Sequence, residues 1–232
     1  MGLFNTSEKI KTNVKLVSLH IPKTAGTSFR NILKEVYGEE HVARIDIRSQ
    51  VELNEEVFTG SKLKRGIHVL HGHFSCKHLT NNFDISRKAP FITWIREPAE
   101  RVISNYYYLE KVLINEVNEE AKGLNILSKM QKSLIEYASA EANRNRISKF
   151  LHGMAPEEFY FIGLTEHYKE DLEQLSDMLG WKDFKIFEHN ITGDKPEIDE
   201  ETLDKIRRLN EVDYEIYEQA IELREERMKL KA

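Results

Sequence analysis

Residues 14–37 read VKLVSLHIPKTAGTSFRNILKEVY and are followed by Gly38. Val14 to Ile21 is a β-branched and Leu-rich run of strand length, and it stops at Pro22. Beyond a loop of small residues, Phe29, Ile32, Leu33, Val36 and Tyr37 recur at spacings of three and four, which is helix periodicity. Gly38 is suited to end that helix as its C′ residue. The unit is strand, small-residue loop, helix.

The alternation recurs downstream. Ile67–His71, Phe91–Ile95, Phe159–Leu164 and Phe184–Phe187 are further strand candidates. A helix is expected through Val102, Ile103, Tyr106 and Leu109, with Pro98 in its first turn. Others are expected at 129–140, 144–151 and Glu166–Leu179, the last with Thr165 as N-cap and Gly180 as its stop. Residues 41–62 read as loop and short helix. Asn190–Pro196 is turn-rich, and Asp199 opens a charged helical tail. Strands alternating with helices give an α/β class, a mostly parallel central sheet flanked by helices.

One domain spanning 1–232 is expected: at this length a chain buries about 70% of its unfolded surface. Within it, 1–13 is expected to be flexible, 114–128 to be a mobile insertion without periodicity, and 199–232 to form C-terminal helices. With 40% hydrophobic residues the chain is no disordered protein. No apolar run approaches the roughly 18 residues of a membrane span, and Met1–Val14 has no secretory apolar core. Cys76 is the single cysteine, which suits a reducing compartment, and a cytoplasmic location is expected. The net charge is −5, of which 199–232, with 11 acidic and 7 basic residues, supplies −4. No basic stripe marks a nucleic-acid partner. The charged tail helix can pack on its own domain or on a second subunit, so a homo-oligomer stays open.

Lys23-Thr24-Ala25-Gly26-Thr27-Ser28 is where chemistry is expected. A loop entering a helix presents free N–H groups, which with the helix dipole favour an anion. Ala25 and Gly26 let a ligand approach, Thr24, Thr27 and Ser28 offer hydroxyls, and Lys23 adds positive charge. The plain alternative is that Thr and Ser merely cap the helix. The order differs from G-x-x-x-x-G-K-[ST], which argues against an ordinary NTPase. A second candidate is Arg96 at a strand end, with Arg101 and Ser104 in the following helix. Arg96 and Ser104 could meet one phosphate, whereas Arg101 reads as a surface arginine paired with Glu97 or Glu100.

HIPKTAGTSF, with IREPAERVISNYYY about 75 residues later, resembles the two signature segments of sulfotransferases that use 3′-phosphoadenosine 5′-phosphosulfate. The resemblance implies a P-loop-NTPase-like sulfotransferase fold. It implies that Lys23, Thr24, Ala25, Gly26, Thr27 and Ser28 cradle the 5′-phosphosulfate and that Arg96 and Ser104 hold the 3′-phosphate. Adenosine 3′,5′-bisphosphate would be the product, with no metal required. Lys23 would offset charge on the leaving phosphate oxygen.

HVLHGHFSCKH at 68–78 places His71 and His73 two apart, on one side of an extended segment. Transfer to a hydroxyl needs a base, and imidazole titrates in a suitable range. HGHFSCKHL resembles the corresponding segment of carbohydrate 2-O-sulfotransferases. That implies His73 as base, His71 assisting, and a saccharide acceptor; His20 or His71 is the next base candidate. Plain core or surface histidines are the bland alternative. A metal site from His68, His71, His73, Cys76 and His78 would lack the repeated Cys/His pairs of zinc sites.

Two rivals stay open. A Mg-dependent phosphotransferase would need an acidic ligand, for which Asp46 and Asp84 are available though neither ends a convincing strand. A catalytically silent nucleotide-binding module is the other. Tyr106 is expected in the core, while Tyr107 and Tyr108 could line an acceptor cleft.

Overall fold

The computed structural model describes residues 8–115, 132–182, 184 and 196–231. A short strand β1 (Ile10–Lys11) precedes β2 (Leu16–Leu19) and helix α1 (Gly26–Tyr37). Then come β3 (Val42–Ile47), β4 (Val51–Leu53), β5 (Glu56–Val57), β6 (Val69–His73), α2 (Cys76–Asn82) and β7 (Phe83–Asp84). β8 (Phe91–Ile95) leads into α3 (Pro98–Asn115), followed by α4 (Leu134–Ser139) and α5 (Arg146–Leu151). β9 (Phe161–Leu164), α6 (Tyr168–Leu179), α7 (Glu200–Arg208) and α8 (Glu211–Lys231) follow.

The main sheet has the order β5-β4-β3-β6-β2-β8-β9. Its pairs from β3 to β9 are parallel, and β4 and β5 add an antiparallel edge. The chain runs from β2 out to β3 and β6 on one side, then crosses to β8 and β9 on the other. β2 is thus the switch point of an open parallel sheet, beyond whose C-terminal end ligands bind. β1 pairs with β7 apart from the main sheet, and Ile10 packs against the core.

Alternation along the strands divides the core. Leu16, Val69, Ile92 and Trp94 pack with Phe29, Ile32 and Leu33 of α1 and with Leu172 and Leu175 of α6. Val17, Leu19, Ile45, Leu70 and Ile95 face α2, α5 and α8 instead. A third cluster joins Val102 and Ile103 of α3 to α4 and α7. α8 packs on its own domain. Arg224 Nε donates to the buried Asp171 at 2.6 Å, and Arg227 donates to the carbonyl of Ile162 at 2.8 Å.

Several expectations are corrected. Residues 41–62 form β3, β4 and β5 rather than loop and short helix. Val42, Arg44 and Asp46 face one way while Ala43, Ile45 and Ile47 face the other, a period of two that charged residues obscure. The second strand lies at 69–73, later than 67–71, and so takes in His73. Thr165 does not cap α6: a 3-10 turn, Thr165–His167, comes first, and the Thr165 hydroxyl is buried without a partner. Gly180 does end α6, and Asp199 caps α7 through the Thr202 N–H at 2.8 Å. Residues 185–187 of the expected strand, 116–128 of the expected insertion and 190–195 of the expected turn lie outside the described residues.

At Gly72, in the middle of β6, a Cβ would lie 1.8 Å from the carbonyl oxygen of Ile45. The clash is with backbone of a paired strand and cannot be relieved by a rotamer change. Gly72→Ala should cost about 3 kcal/mol, the upper range for overpacking, and lower the Tm by roughly 6–12 °C. Gly66→Ala, whose added Cβ would find only ordinary contact with His41 at 3.6 Å, is the control and should melt near wild type. A Gly72→Ala protein melting with the control would show that β3 and β6 can part at no cost.

Candidate active site

The C-terminal ends of β2, β6, β3 and β8 bring the candidate residues to one edge. Cross-strand pairing aligns Ser18 with His71, His71 with Arg44, and His73 with Asp46. Side chains directly opposite on one face touch. Ser18 Oγ and His71 Nδ1 are 2.9 Å apart, and His73 Nδ1 and Asp46 Oδ1 are 2.7 Å apart. An ionised carboxylate only accepts, so Nδ1 of His73 carries its hydrogen, and the lone pair of the neutral ring lies on Nε2. Arg44 Nε donates to the other oxygen, Asp46 Oδ2, at 2.9 Å.

His20, just past β2, stacks on both. Its ring centroid is 5.1 Å from that of His71 and 4.4 Å from that of His73. Burial, then the neighbouring charges of His71 and His73, hold His20 well below its usual value. Burial first, then His73, pushes His71 down to about 3. Burial raises Asp46, but the hydrogen bond and charge of His73, together with Arg44, hold it below the usual carboxylate range. His71 is buried, whereas His73 keeps 28% of its side chain exposed. His73 opens onto a cavity of about 740 Å³ whose lining includes Pro22, Arg48, His78, Arg146 and Lys149.

The loop between β2 and α1 has a backbone shape suited to an anion. Lys23 and Ala25 lie in the left-handed region, with φ of 73° and 60°. Alternating left-handed residues turn successive N–H groups toward one point, a concavity that fits an anion. Ala25 is the N-cap of α1, and its side chain makes no cap hydrogen bond. Thr24 is buried, and its hydroxyl donates to the carbonyl of Ile21 at 2.7 Å. It braces the loop instead of offering a donor. At Gly26 an added Cβ would lie 1.9 Å from the His20 ring, so its bareness also accommodates His20. Thr27 is exposed and Ser28 buried on α1. Lys23 Nζ rests 3.8 Å from the Tyr108 ring centroid.

The second candidate is partly inverted. Arg96 is the arginine paired with an acid, donating to Glu100 at 3.2 Å, while Arg101 is buried and donates to the carbonyl of Asn143 at 3.2 Å. Burial pushes Arg101 down to about 10. Ser104 is buried, and its hydroxyl has no hydrogen-bond partner among the described residues. Tyr106 is half-buried, its hydroxyl donating to the carbonyl of Lys132, and Tyr108 is exposed.

The metal cluster disperses. His68 stacks on His41 at 4.7 Å, and burial pushes the Cys76 thiol up to about 12. Among the described residues no group of three such side chains is placed to hold a metal ion. Asp46 does stand near a strand end, contrary to expectation, but both its oxygens accept hydrogen bonds from His73 and Arg44. Ser18, Arg48 and Arg146 were missed from sequence, and Asp46 was named only as a possible metal ligand. The alternation of 42–47 could have found Asp46; nothing local marks the others.

These features describe an α/β protein with a left-handed loop at a helix start and a carboxylate-held histidine at one sheet edge. The family model described as "Sulfotransferase family" matches residues 9–219, and the chain belongs to that family. It is 31% identical over 108 residues to heparan sulfate 2-O-sulfotransferase 1 of Cricetulus griseus, covering 42% of this chain and 30% of that protein. The protein of the same name from Homo sapiens is 32% identical over 100 residues, covering 38% of this chain and 27% of that protein. The match thus spans less than a third of these relatives' length. Mouse sulfotransferase SULT7A1, crystallised with PAP, aligns with a TM-score of 0.39 and 11% identity over 84% of this chain and 63% of that one.

The buried histidines make the fold acid-sensitive. The folded value of His71 is depressed from about 6.5, so its stabilising contribution is complete above that pH and is lost as the pH falls below it. Between pH 7.5 and 5.5 the unfolding free energy should fall by at least about 1.4 kcal/mol, with His20 acting in the same sense. Urea unfolding at the two pH values measures it. Equal stabilities would mean that His71 is protonated in the folded protein.

Proposed function

We propose that the protein transfers the sulfuryl group of 3′-phosphoadenosine 5′-phosphosulfate to a saccharide hydroxyl, with His73 as the base. The observation that carries this reading is the His73–Asp46 pair, which opens onto a cavity that Pro22, the residue before the anion cradle, also lines. Family membership and the 2-O-sulfotransferase relatives support sulfuryl transfer to carbohydrate.

The residues present fit the donor. Uncapped N–H groups at the start of α1 suit the 5′-phosphosulfate, and the buried, unpartnered Ser104 hydroxyl suits the 3′-phosphate. Arg96 joins Ser104 by exchanging Glu100 for the phosphate, a stronger and bidentate partner. Lys23 leaves the face of Tyr108 for the leaving oxygen. His73 Nε2 takes the proton of the acceptor hydroxyl as its oxygen bonds to sulfur. The bond from sulfur to the 5′-phosphate oxygen breaks, and its electron pair stays on that phosphate beside Lys23. The products are a sulfate ester, adenosine 3′,5′-bisphosphate and a proton passed from His73 to solvent. Asp46 holds the imidazole in the required tautomer and steadies its charged form. His71, buried and bound to Ser18, supports the ring stack instead of exchanging protons.

Arg48 and Arg146 favour an acceptor that carries a carboxylate or sulfate near the reacting hydroxyl. Both line the cavity, and neither forms an ion pair among the described residues. Burial, and then the charge of Arg48, hold Arg146 below its usual range, a like-charge arrangement that an anion relieves.

Adenosine 3′,5′-bisphosphate at a hundred times its Kd should add about 2.7 kcal/mol and raise the Tm by roughly 5–10 °C, well beyond ADP at equal concentration. Equal shifts from the two nucleotides would remove the 3′-phosphate site. With desulfated heparan oligosaccharides as acceptor, His73→Ala should lower kcat by about 10²–10⁴ while the bisphosphate shift persists. Retained turnover would move the base elsewhere, and turnover lost to a chelator would favour a metal-dependent phosphotransferase.

A further inference from the structure

The wall of the acceptor cavity is a segment with little stability of its own. α5 has six residues, too few to be helical in isolation, and its N-cap Asn145 sits in the left-handed region at φ 45° with no side-chain cap. Yet Arg146, Ser148, Lys149 and Phe150, all from α5, line the cavity that His73 faces. What holds them comes from 65 residues downstream. Asp213, fully buried at the start of α8, accepts from the N–H of Ile147 through Oδ2 at 2.9 Å and from that of Ser148 through Oδ1 at 2.8 Å. Asn210, also fully buried, accepts from the N–H of Asn145 at 2.9 Å, and the Asn145 side chain accepts in turn from the Asp213 N–H at 3.4 Å.

The same cluster reaches the donor side. Arg101 lies on α3 three residues before Ser104, donates to the carbonyl of Asn143, and interacts electrostatically with Asp213. One buried polar cluster therefore joins the helix carrying Ser104 to the segment carrying Arg146. We propose that Asp213 is a positioning residue for the acceptor: its carboxylate fixes the first turn of α5, and with it the basic wall opposite His73. The C-terminal helix then belongs to the acceptor site although none of its residues lines the cavity. This rests on the transfer reaction proposed above.

The test is steady-state kinetics of Asp213→Asn with desulfated heparan oligosaccharides as acceptor. The amide keeps the shape but offers only one accepting atom for two N–H groups. Acceptor KM should rise about tenfold with kcat within about threefold, because ground-state placement of the acceptor is what is lost. The bisphosphate melting shift should equal that of wild type. In a double-mutant cycle, Arg146→Ala should cost much less in the Asp213→Asn background than alone, since the arginine is already misplaced. A merely structural Asp213 would instead lower kcat, acceptor affinity and donor shift together, with additive effects, and that result overturns the proposal. If Asp213→Asn does not fold, Asn210→Ala, which removes the bond to Asn145, should raise acceptor KM about threefold at unchanged donor shift, and an unchanged KM overturns it. Absent turnover and absent bisphosphate shift in the wild type would instead strike the transfer reaction itself.

Discussion

Between Leu19 of β2 and Ile45 of β3 the sheet leaves position 72 no room for a side chain, and the active-site geometry follows from that restriction. Glycine there lets β6 pair in register with both neighbours, Leu19 with Gly72 on one side and Ile45 with Gly72 on the other. The residues flanking the glycine then fall on one face, each opposite a polar partner: His71 beside Ser18, and His73 beside Asp46. Neither pair needs a loop to adopt a special shape. A slip of one residue would turn both histidines to the face that packs against α2 and α5, where their polar atoms would find apolar side chains.

A second glycine has a related use. The His20 ring fills the space that a side chain at Gly26 would occupy, so the histidine stack and the anion loop are built against each other. The loop's capacity for anions then comes from strained backbone. Two non-glycine residues in the left-handed region cost of order 1–3 kcal/mol each, and such strain persists only when the surroundings over-determine it. Those surroundings are present: Thr24 ties the loop to Ile21, and Phe29, Ile32 and Leu33 anchor α1 in the core immediately beyond. A fold that needed only a helix start would place Ser or Asp at the N-cap and avoid the cost.

Much of this was legible in the chain because the strand, loop and helix signals of 14–38 are strong and the two signature segments each follow a strand. The rest was hidden for identifiable reasons. β3 was misread because Arg44 and Asp46 occupy positions that a strand next to a buried face fills with apolar residues. They are tolerated there because each neutralises the other and Asp46 also receives His73. Hydropathy registers the charges and not their pairing. The pairing of Arg96 with an acid and the burial of Arg101 were hidden for a similar reason. Both flank the start of one helix, and only the packing of α8 and of the segment around Asn143 decides which guanidinium turns inward. The uses of Thr24 and Gly26 depend on what folds against the loop, which no local pattern records.

The charge distribution bears on the same point. The tail from 199 onward carries most of the net negative charge, and taken alone it suggests a surface for a partner. Its placement argues for a different use of its polar residues. Asp213 and Asn210 are spent on α5, Arg224 on Asp171, and Arg227 on Ile162, so the polar groups that matter are those turned inward. The acidic remainder faces solvent, while the lining of the cavity beside His73 includes two arginines, a lysine and histidines and, among the described residues, no acid. Net charge governs long-range attraction, whereas the field inside a cleft is set by the few groups on its walls. An overall acidic chain can therefore present a cavity with a basic wall, because the segment bearing that wall is held from behind by a buried carboxylate that accepts from two backbone N–H groups.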